Sequence, residues 1–455
     1  MRILKGIGIH NPDTLILALL VAIALTRGTL YAVVTPPFDS PDEKGHFDYV
    51  ASLYETRGAD IQGKEQRQPP LYYWMSVPAY ALFAHQPPYL DVYALATEKP
   101  SLLSLIAVRL ISMLMTVATI PLAYWAAKTI RPKDSFVYLG TAAFVALVPA
   151  YGWLGASINN DNLANLVASF SIVMLLRVVS RGFSRGRLLV LAGLFAAAIA
   201  AKPTIWPITA AIAAALTIKA LFPHFARRPR LGSIAVVVAL AVAAVVLVGP
   251  AHSPTASFIQ RWTKPNALST HGVSYFFSNL DVWPFVYQFK TFWGSFSTDS
   301  VQLPPVVYWI LAALTLASVI GLLRRAARVC RALANSFDFS ILTEHNNAPT
   351  LILAAMVLLQ WMLSFARFYL NDSLRPDQRI AGWDDDFAVL HGRFLFPVII
   401  PIGFLLVWGL EAILPPNWSK HGTWVLMLVL IAVDWTALLV LANGGHSWQV
   451  YPGQG

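Results

Sequence analysis

Charged residues are scarce in this sequence. Of its 455 residues only 12% are Asp, Glu, Lys or Arg, while 57% are hydrophobic, and the mean hydropathy is +0.58. Soluble domains carry about 25% charged residues. The composition therefore excludes an ordinary soluble domain and indicates that most of the chain lies in a lipid bilayer.

Cysteine is almost absent, because Cys330 is the only one. A single cysteine excludes an internal disulfide and any cysteine-based metal cluster. It lies among the arginines of segment 324–331, which predicts a cytoplasmic position without a chemical role. Internal repeats and low-complexity linkers are missing as well, so we expect one membrane domain over residues 1–455.

Apolar runs of about 20 residues, each long enough to cross a bilayer as a helix, recur along the chain. They predict an all-α polytopic membrane protein with about eleven transmembrane helices, at 14–34, 104–127, 136–156, 162–180, 187–202, 204–222, 232–250, 304–323, 351–370, 393–413 and 422–442. The run 69–83 is shorter and contains Pro78, so we interpret it as an interfacial helix. The first run resembles a signal peptide but is too long and lacks a cleavage site, which predicts an anchor.

The net charge of +10 comes from basic residues at the ends of apolar runs. This placement is typical of topology signals and does not predict nucleic-acid binding. The positive-inside rule predicts a cytoplasmic N-terminus in a bacterial-type inner membrane. Three polar segments, 35–103, 251–303 and 371–392, then become loops on the outer face, where we expect the chemistry.

An acidic cluster follows the first apolar run, where the sequence reads Ser40-Pro-Asp42-Glu43-Lys-Gly-His46. Ser40, Pro41 and Glu43 have the spacing of a capping box at the start of a helix, which would explain Glu43 without any catalytic role. Asp42 is explained only in part by a helix start, and His46 lies on the same predicted helix face. Asp42 is therefore the first candidate for a catalytic carboxylate.

Several short motifs carry a family resemblance. The Asp42-Glu43 pair, Gln68-Pro-Pro-Leu-Tyr72-Tyr and Arg109-Leu-Ile-Ser together resemble the GT-C superfamily of glycosyltransferases, which includes protein mannosyltransferases and lipid A aminoarabinose transferases. A bacterial GT-C-like family of predicted membrane proteins is similar over most of the chain. The motifs that carry this second similarity are Asn159-Asn-Asp161-Asn-Leu-Ala164, Ala201-Lys202-Pro-Thr204, Phe289-Lys-Thr-Phe-Trp-Gly294 and Gly392-Arg393-Phe-Leu-Phe-Pro397.

The resemblance implies transfer of a hexosyl or pentosyl unit from a polyprenyl-phosphate donor to an acceptor hydroxyl on a glycan, lipid or protein. It implies Asp42 as the base and Glu43 as its neighbour. We take His46, Gln68 and Tyr72, which lie in or beside the same motifs, as candidate substrate-binding residues. Direct displacement would invert the anomeric centre. Aminoarabinose transferases have a lysine for the lipid phosphate where this chain has Gln68, so another cation must take that part.

Lys202, Arg379 and Arg393 are the candidate cations, because arginine and lysine bind phosphate and an intramembrane lysine needs a partner. Lys202 could equally snorkel from a helix end, and Arg393 could be an interface anchor. Asp161 could orient the acceptor or a bound ion, or only cap a helix.

The other polar residues of the outer loops give weaker signals. The run Asp384-Asp385-Asp386 is more typical of a solvated loop than of a metal site. His252, His271 and His391 are isolated, and we assign them no role. The sequence leaves dependence on a divalent metal ion open, along with the identity of the sugar and the acceptor. Two rival classes are a transporter or lipid flippase, and a noncatalytic membrane scaffold.

Overall fold

A computed structural model describes residues 11–58, 65, 68–85, 101–182, 184–202, 205, 212, 282–297, 299–336, 347–369, 390–415 and 418–443. The described chain is almost entirely helical. Its helices are α1 (Pro12–Val34), α2 (Glu43–Thr56), α3 (Leu71–Ala81), α4 (Leu102–Val117), α5 (Thr119–Ile130), α6 (Ser135–Leu147), α7 (Pro149–Gly155), α8 (Asp161–Arg181), α9 (Arg185–Ala201), α10 (Trp283–Trp293), α11 (Pro305–Ser336), α12 (Asn347–Tyr369), a 3-10 helix (Gly392–Val398), α13 (Ile399–Glu411) and α14 (Ser419–Asn443).

Seven described helical segments are long and apolar enough to cross a membrane, or eight if the bent pair α6–α7 is one span. This confirms the all-α polytopic fold, and the chain is a multi-pass membrane protein. The count of eleven is not confirmed, and the predicted spans 204–222 and 232–250 lie almost wholly outside the described residues. Helix α9 has 17 residues, and α3 has only 11, too short to cross a bilayer.

The predicted span 136–156 is wrong as a single helix. It bends by 55° between α6 and α7. Pro149 explains the break, because proline lacks the N–H of a continuing helix and excludes helical geometry at the preceding residue. Val148 accordingly has extended backbone angles.

The helices share two ends, which fix where the polar residues meet. At one end α1, α5 and α6 come together, since Asp13 accepts a hydrogen bond from Tyr138 at 2.7 Å and pairs with Lys128 at 3.6 Å. The connection α5–α6, the connection α8–α9 and the last turns of α11 all bring basic residues to this end, which we call the basic end. At the opposite end lie the C-terminus of α1 and the N-termini of α4, α8 and the 3-10 helix, and we call it the site end.

Small residues allow the central helices to approach closely. A Cβ added to Gly321 of α11 would lie 1.8 Å from the carbonyl oxygen of Gly409 in α13. Ser318 lies one turn away and donates a hydrogen bond to the carbonyl oxygen of Leu406 at 2.8 Å. Such small-residue contacts are a usual source of helix association where no hydrophobic driving force operates between helices.

Candidate active site

The candidate site begins with an unusual backbone at Asp42. Helix α2 starts at Glu43, and Asp42 is its N-cap with φ 61 and ψ 1, in the left-handed region. The expected capping box is wrong, because the helix starts after Pro41 and the Glu43 carboxylate accepts a hydrogen bond from the N–H of Phe38 at 3.1 Å, not from that of Ser40. A left-handed backbone is uncommon at a residue other than glycine, although aspartate adopts it more readily than most, and such conformations cluster at functional sites.

Glu43 is displaced from that capping role by a buried partner, Arg109 of α4. Arg109 Nε donates to Glu43 Oε1 at 2.8 Å and Nη2 to Oε2 at 2.6 Å. Glu43 Oε1 also accepts from the N–H of Ile158 at 3.1 Å. The Glu43 side chain is 0% exposed, so it holds the loop and cannot reach a ligand as placed here.

Arg109 also fixes the loop that leads into Asp42. Its guanidinium donates to the carbonyl oxygens of Ala32, Thr35 and Pro36 at 2.7 to 2.9 Å. All five N–H groups of Arg109 therefore donate to the Glu43 carboxylate or to these carbonyl oxygens. Arg109 of α4 thus connects the end of α1 with the start of α2. These contacts hold the loop that contains Asp42.

Four charged side chains from separate parts of the chain meet beside this loop. Asp42 Oδ2 lies 3.3 Å from Arg393 Nη2 in the 3-10 helix. Asp161 Oδ1 at the start of α8 lies 2.9 Å from Lys202 Nζ at the end of α9. The side chains of Asp42 and Asp161 remain 19% and 25% exposed, so each can reach a ligand. The structure thus brings two of the three predicted cations together with both predicted aspartates.

The structure supports the noncatalytic interpretations of Asp161 and Lys202 only in part. Asp161 is the first residue of α8, and the N-cap is Asn160, so Asp161 does not cap the helix. Lys202 does terminate α9, as the alternative required. Its ammonium, however, is paired with Asp161 and is 14% exposed, so it does not simply extend to the interface.

A narrow cleft of about 10 Å³, room for about one water molecule, lies against this cluster and is lined by Tyr151, Leu154, Asn159, Asp161, Asn162, Asn165, Arg393 and Phe396. Asn165 is one turn below Asp161 on α8 and is 2% exposed. Its amide oxygen is buried and has no hydrogen-bond partner within the described chain. Leaving such an oxygen without a donor costs about 1–3 kcal/mol, so a donor from water or a ligand in the cleft would be stabilised there.

His46, Tyr72 and Gln68 support the cleft from the side of the first outer loop. His46 Nδ1 lies 2.8 Å from the Tyr73 hydroxyl. Tyr72 is buried, and its hydroxyl lies 2.6 Å from Ser112 and accepts from the N–H of Asn159 at 3.1 Å. Gln68 accepts from the Asn160 side chain at 3.3 Å. Tyr72 and Gln68 therefore hold the Asn159–Asn160 turn that precedes Asp161.

Burial, assisted by the charges of Lys202 and Arg393 and opposed by those of Asp42 and Asp161, lowers the pKa of His46 to about 3. The imidazole is therefore neutral at physiological pH. His391, to which the sequence assigned no role, stands beside Arg393, and burial with the Arg393 charge lowers its pKa to about 4. Both rings are therefore neutral and lie close to the charged cluster.

The sequence analysis missed several polar residues that build this region. Arg109 was noted only within a motif, and Arg27 and Asp434 were not noted at all, yet they form a buried ion pair between α1 and α14. The signal was available, because each is a charged residue inside an apolar run. Arg379, His252, His271 and the run Asp384–Asp386 lie outside the described residues.

A metal ion does not fit the described donors. No three His, Cys, Asp or Glu side chains in the described ranges are placed to hold one. Asp42 and Asp161 are each paired with a cation, which competes with a metal for the same oxygens.

Neither a protein-family model nor a curated protein matches the sequence. Among solved structures, ArnT from Cupriavidus metallidurans bound to undecaprenyl phosphate is similar with 16% identity and a TM-score of 0.48, over 94% of this chain and 77% of that one. The Archaeoglobus fulgidus oligosaccharyltransferase in complex with Zn and sulfate is similar with 12% identity and a TM-score of 0.50, over 93% of this chain and 52% of that one. This chain therefore spans about half the length of the oligosaccharyltransferase. The protein has the fold of the GT-C membrane proteins, as its motifs led us to expect.

Proposed function

We propose that this protein is a membrane glycosyltransferase that moves a sugar from a polyprenyl-phosphate donor to an acceptor hydroxyl. The observation that carries the proposal is the cluster of Asp42, Asp161, Lys202 and Arg393 beside a cleft at the site end of the helices. It supplies cations for a phosphate and a carboxylate for a hydroxyl in one place. The GT-C fold supports the proposal.

Lys202 and Arg393 are the proposed phosphate ligands. Negative charge builds on the departing lipid phosphate, and fixed cations in a poorly solvated site stabilise it most strongly. The ion pairs with Asp161 and Asp42 hold both cations in place before a ligand arrives, so little reorganisation is needed. Arg393 suits bidentate binding through its guanidinium, while Lys202 acts as a point charge. Arg379, outside the described residues, is a third candidate.

Asp42 is the proposed base. Phosphate is a good leaving group, so one carboxylate that orients and deprotonates the acceptor hydroxyl can suffice without a dedicated acid. Of the adjacent carboxylates, Asp42 is partly exposed and pairs with Arg393, which lines the cleft, while Glu43 is closed off by Arg109, so we assign Glu43 to positioning. Direct attack of the acceptor on the anomeric carbon would invert its configuration. The proton passes to Asp42 and the phosphate leaves on the lipid.

Asn165 is a proposed contact for a donor or acceptor hydroxyl. Its orphan amide oxygen faces the cleft that Asp161 and Arg393 also line. Tyr151 and Phe396 supply an apolar edge, since their ring centroids lie 5.1 Å apart at the same cleft. Neutral His46, Tyr72 and Gln68 shape the wall on the side of Asp42.

The basic end faces the cytoplasm in this proposal, because lysine and arginine concentrate in short cytoplasmic connections. The N-terminus is then cytoplasmic and the site lies on the outer face of a bacterial-type inner membrane. A donor with its tail in the bilayer would present its phosphate at this depth. The acceptor is a glycan, a lipid or a protein with a free hydroxyl.

Release of free polyprenyl phosphate tests the proposal. Purified protein is incubated with a set of undecaprenyl-phosphate sugars and a bacterial membrane extract as acceptor. We expect Asp42→Asn to lower release by about 10² or more, the scale of losing a general base. Asp48→Asn is the matched control, because Asp48 lies on the same helix, pairs with Lys44 and is 43% exposed. Its release should equal that of the wild type.

The outcomes of this assay decide whether Asp42 takes part in catalysis and whether the protein is a transferase or a flippase. Equal release by Asp42→Asn would remove Asp42 from the mechanism. A second outcome concerns the wild type, which is also reconstituted in vesicles. If it releases no polyprenyl phosphate from any donor but moves undecaprenyl phosphate from one leaflet to the other, the transferase is refuted and a flippase is favoured.

A further inference from the structure

The basic end of the helices carries a cluster that the proposed reaction does not use. The guanidinium of Arg131, after α5, lies 5.0 Å from the ring centroid of Trp408 in α13. The guanidinium of Arg325 in α11 lies 4.4 Å from the same centroid. Arg325 also donates from Nε to the Trp408 carbonyl oxygen at 3.3 Å and forms an ion pair with Glu411. We call Arg131, Arg325 and Trp408 the arginine–tryptophan cluster.

With the neighbouring Arg328, three arginines face two carboxylates around the cluster. Arg131 and Arg328 both act electrostatically on Arg325, and among the described residues Asp134 and Glu411 oppose them. The Nε of Arg131 is buried and has no hydrogen-bond partner in the described part of the chain. A buried charged donor without an acceptor is costly, so an anion bound here would be stabilised by both arginines.

Helix α11 carries exposed apolar residues on the face opposite Arg325. Leu316, Ile320 and Leu323 on the outward face of α11 are 60%, 42% and 62% exposed. They point away from α13, whereas Arg325 shares the helix face of Ser318 and Gly321 that packs against α13. Because α13 contacts both α5 and α11, its partly exposed Trp408 lies between them. Arg325 is 20 positions after Pro305, which is about 30 Å of helix and places its charge at headgroup depth.

We propose that the arginine–tryptophan cluster binds an anionic phospholipid in the leaflet opposite the candidate active site, with Arg131 and Arg325 as the ligands of the phosphate. Arginine guanidinium groups match phosphate oxygens in a bidentate geometry, and tryptophan is at home at the headgroup level. Basic pockets between helices bind anionic headgroups. A zwitterionic lipid would carry a compensating cation toward the arginines and bind less well. The site is independent of the proposed transferase activity.

The test measures lipid binding to the full-length protein by native mass spectrometry in detergent. The probes are dioleoylphosphatidylglycerol and, as the zwitterionic reference, dioleoylphosphatidylcholine. The test variant is Arg131→Gln/Arg325→Gln. Its matched control is Arg181→Gln/Arg185→Gln, which removes two exposed arginines from the α8–α9 connection at the same end. Circular dichroism and size-exclusion elution verify folding.

We expect the wild type and the control to bind phosphatidylglycerol at least about 10-fold more tightly than phosphatidylcholine, and the test variant to lose most of that preference. Phosphatidylglycerol should raise the melting temperature of the wild type and the control but not of the test variant. Equal binding by test and control variants would overturn the proposal, because the attraction would then be general surface charge. If the double variant fails to fold, Arg131→Gln alone, which leaves the Arg325–Glu411 pair, must still reduce the preference. An unchanged preference in that variant also overturns it.

Discussion

Replacing Glu43 by glutamine should destabilise the protein while leaving its shape almost unchanged. The NH₂ group of the glutamine would face N–H groups of Arg109 or Ile158 that now donate to a carboxylate oxygen. Removing one partner of a buried ion pair costs about 3–5 kcal/mol, because the other charge stays buried without compensation. Arg109 retains three backbone carbonyl contacts, so we expect the lower part of that range.

Thermal unfolding in detergent, followed by tryptophan fluorescence, measures the effect. A loss of about 3 kcal/mol should lower the melting temperature by roughly 5 °C or more. Asp48→Asn makes the same chemical change on an exposed face of α2 and should shift it little. Arg109→Gln should cost more than Glu43→Gln, since it also abandons the three carbonyl oxygens. The double variant should cost less than the two single changes added together.

A local assay separates this role from a general loss of stability. Trypsin cleavage after the exposed Arg57, at the end of α2, should accelerate in Glu43→Gln and not in Asp48→Asn. If the melting temperature of Glu43→Gln lies within about 1 °C of wild type, the buried pair does not hold the loop and the assignment of Glu43 to positioning is wrong.

Further predictions concern a histidine, a glycine and an asparagine. Because the folded-state pKa of His46 is about 3, the unfolded chain binds more protons below pH 6.5, so stability should fall as the pH drops from 6.5 toward 3. The loss should be about 2 kcal/mol near pH 5 and smaller in His46→Gln, as acid titration of the melting temperature would reveal. A Cβ at Gly152 would lie 2.4 Å from Arg27 Nη2, so Gly152→Ala should lose about 1–3 kcal/mol, while Gly193→Ala, with open space around it, should not. Asn165→Leu should keep its melting temperature or raise it, yet lower sugar release about 10-fold or more, and full release would remove Asn165 from the cleft's function.

The fold class could be predicted from hydropathy alone, because each apolar run needs a helix to satisfy its backbone in lipid. The expected run 14–34 became Pro12–Val34, and 162–180 became Asp161–Arg181. The failure at 136–156 arose from Pro149, whose helix-breaking chemistry was visible in the sequence. The apolar residues that continue on both sides of Pro149 nevertheless favoured a single span.

The candidate site was predictable residue by residue but not as an arrangement. Asp42 and Arg393 are 351 positions apart, and no spacing rule connects them. The capping-box prediction failed because Ser40, Pro41 and Glu43 obey a local rule, while Arg109 offers Glu43 a stronger partner from another helix. A buried arginine in an apolar run was the available warning that a carboxylate elsewhere must turn toward it.

The charge balance of the site links the two substrates in the proposed reaction. Two carboxylates and two cations form two ion pairs, so the site is close to neutral before a ligand binds. A lipid phosphate that takes up Arg393 and Lys202 weakens their hold on Asp42 and Asp161, because the same N–H groups cannot serve both anions fully. Asp42 then gains basicity and freedom to accept a proton only after the donor is in place. An acceptor bound alone would meet a carboxylate still engaged by Arg393, so the donor should bind first in the productive order.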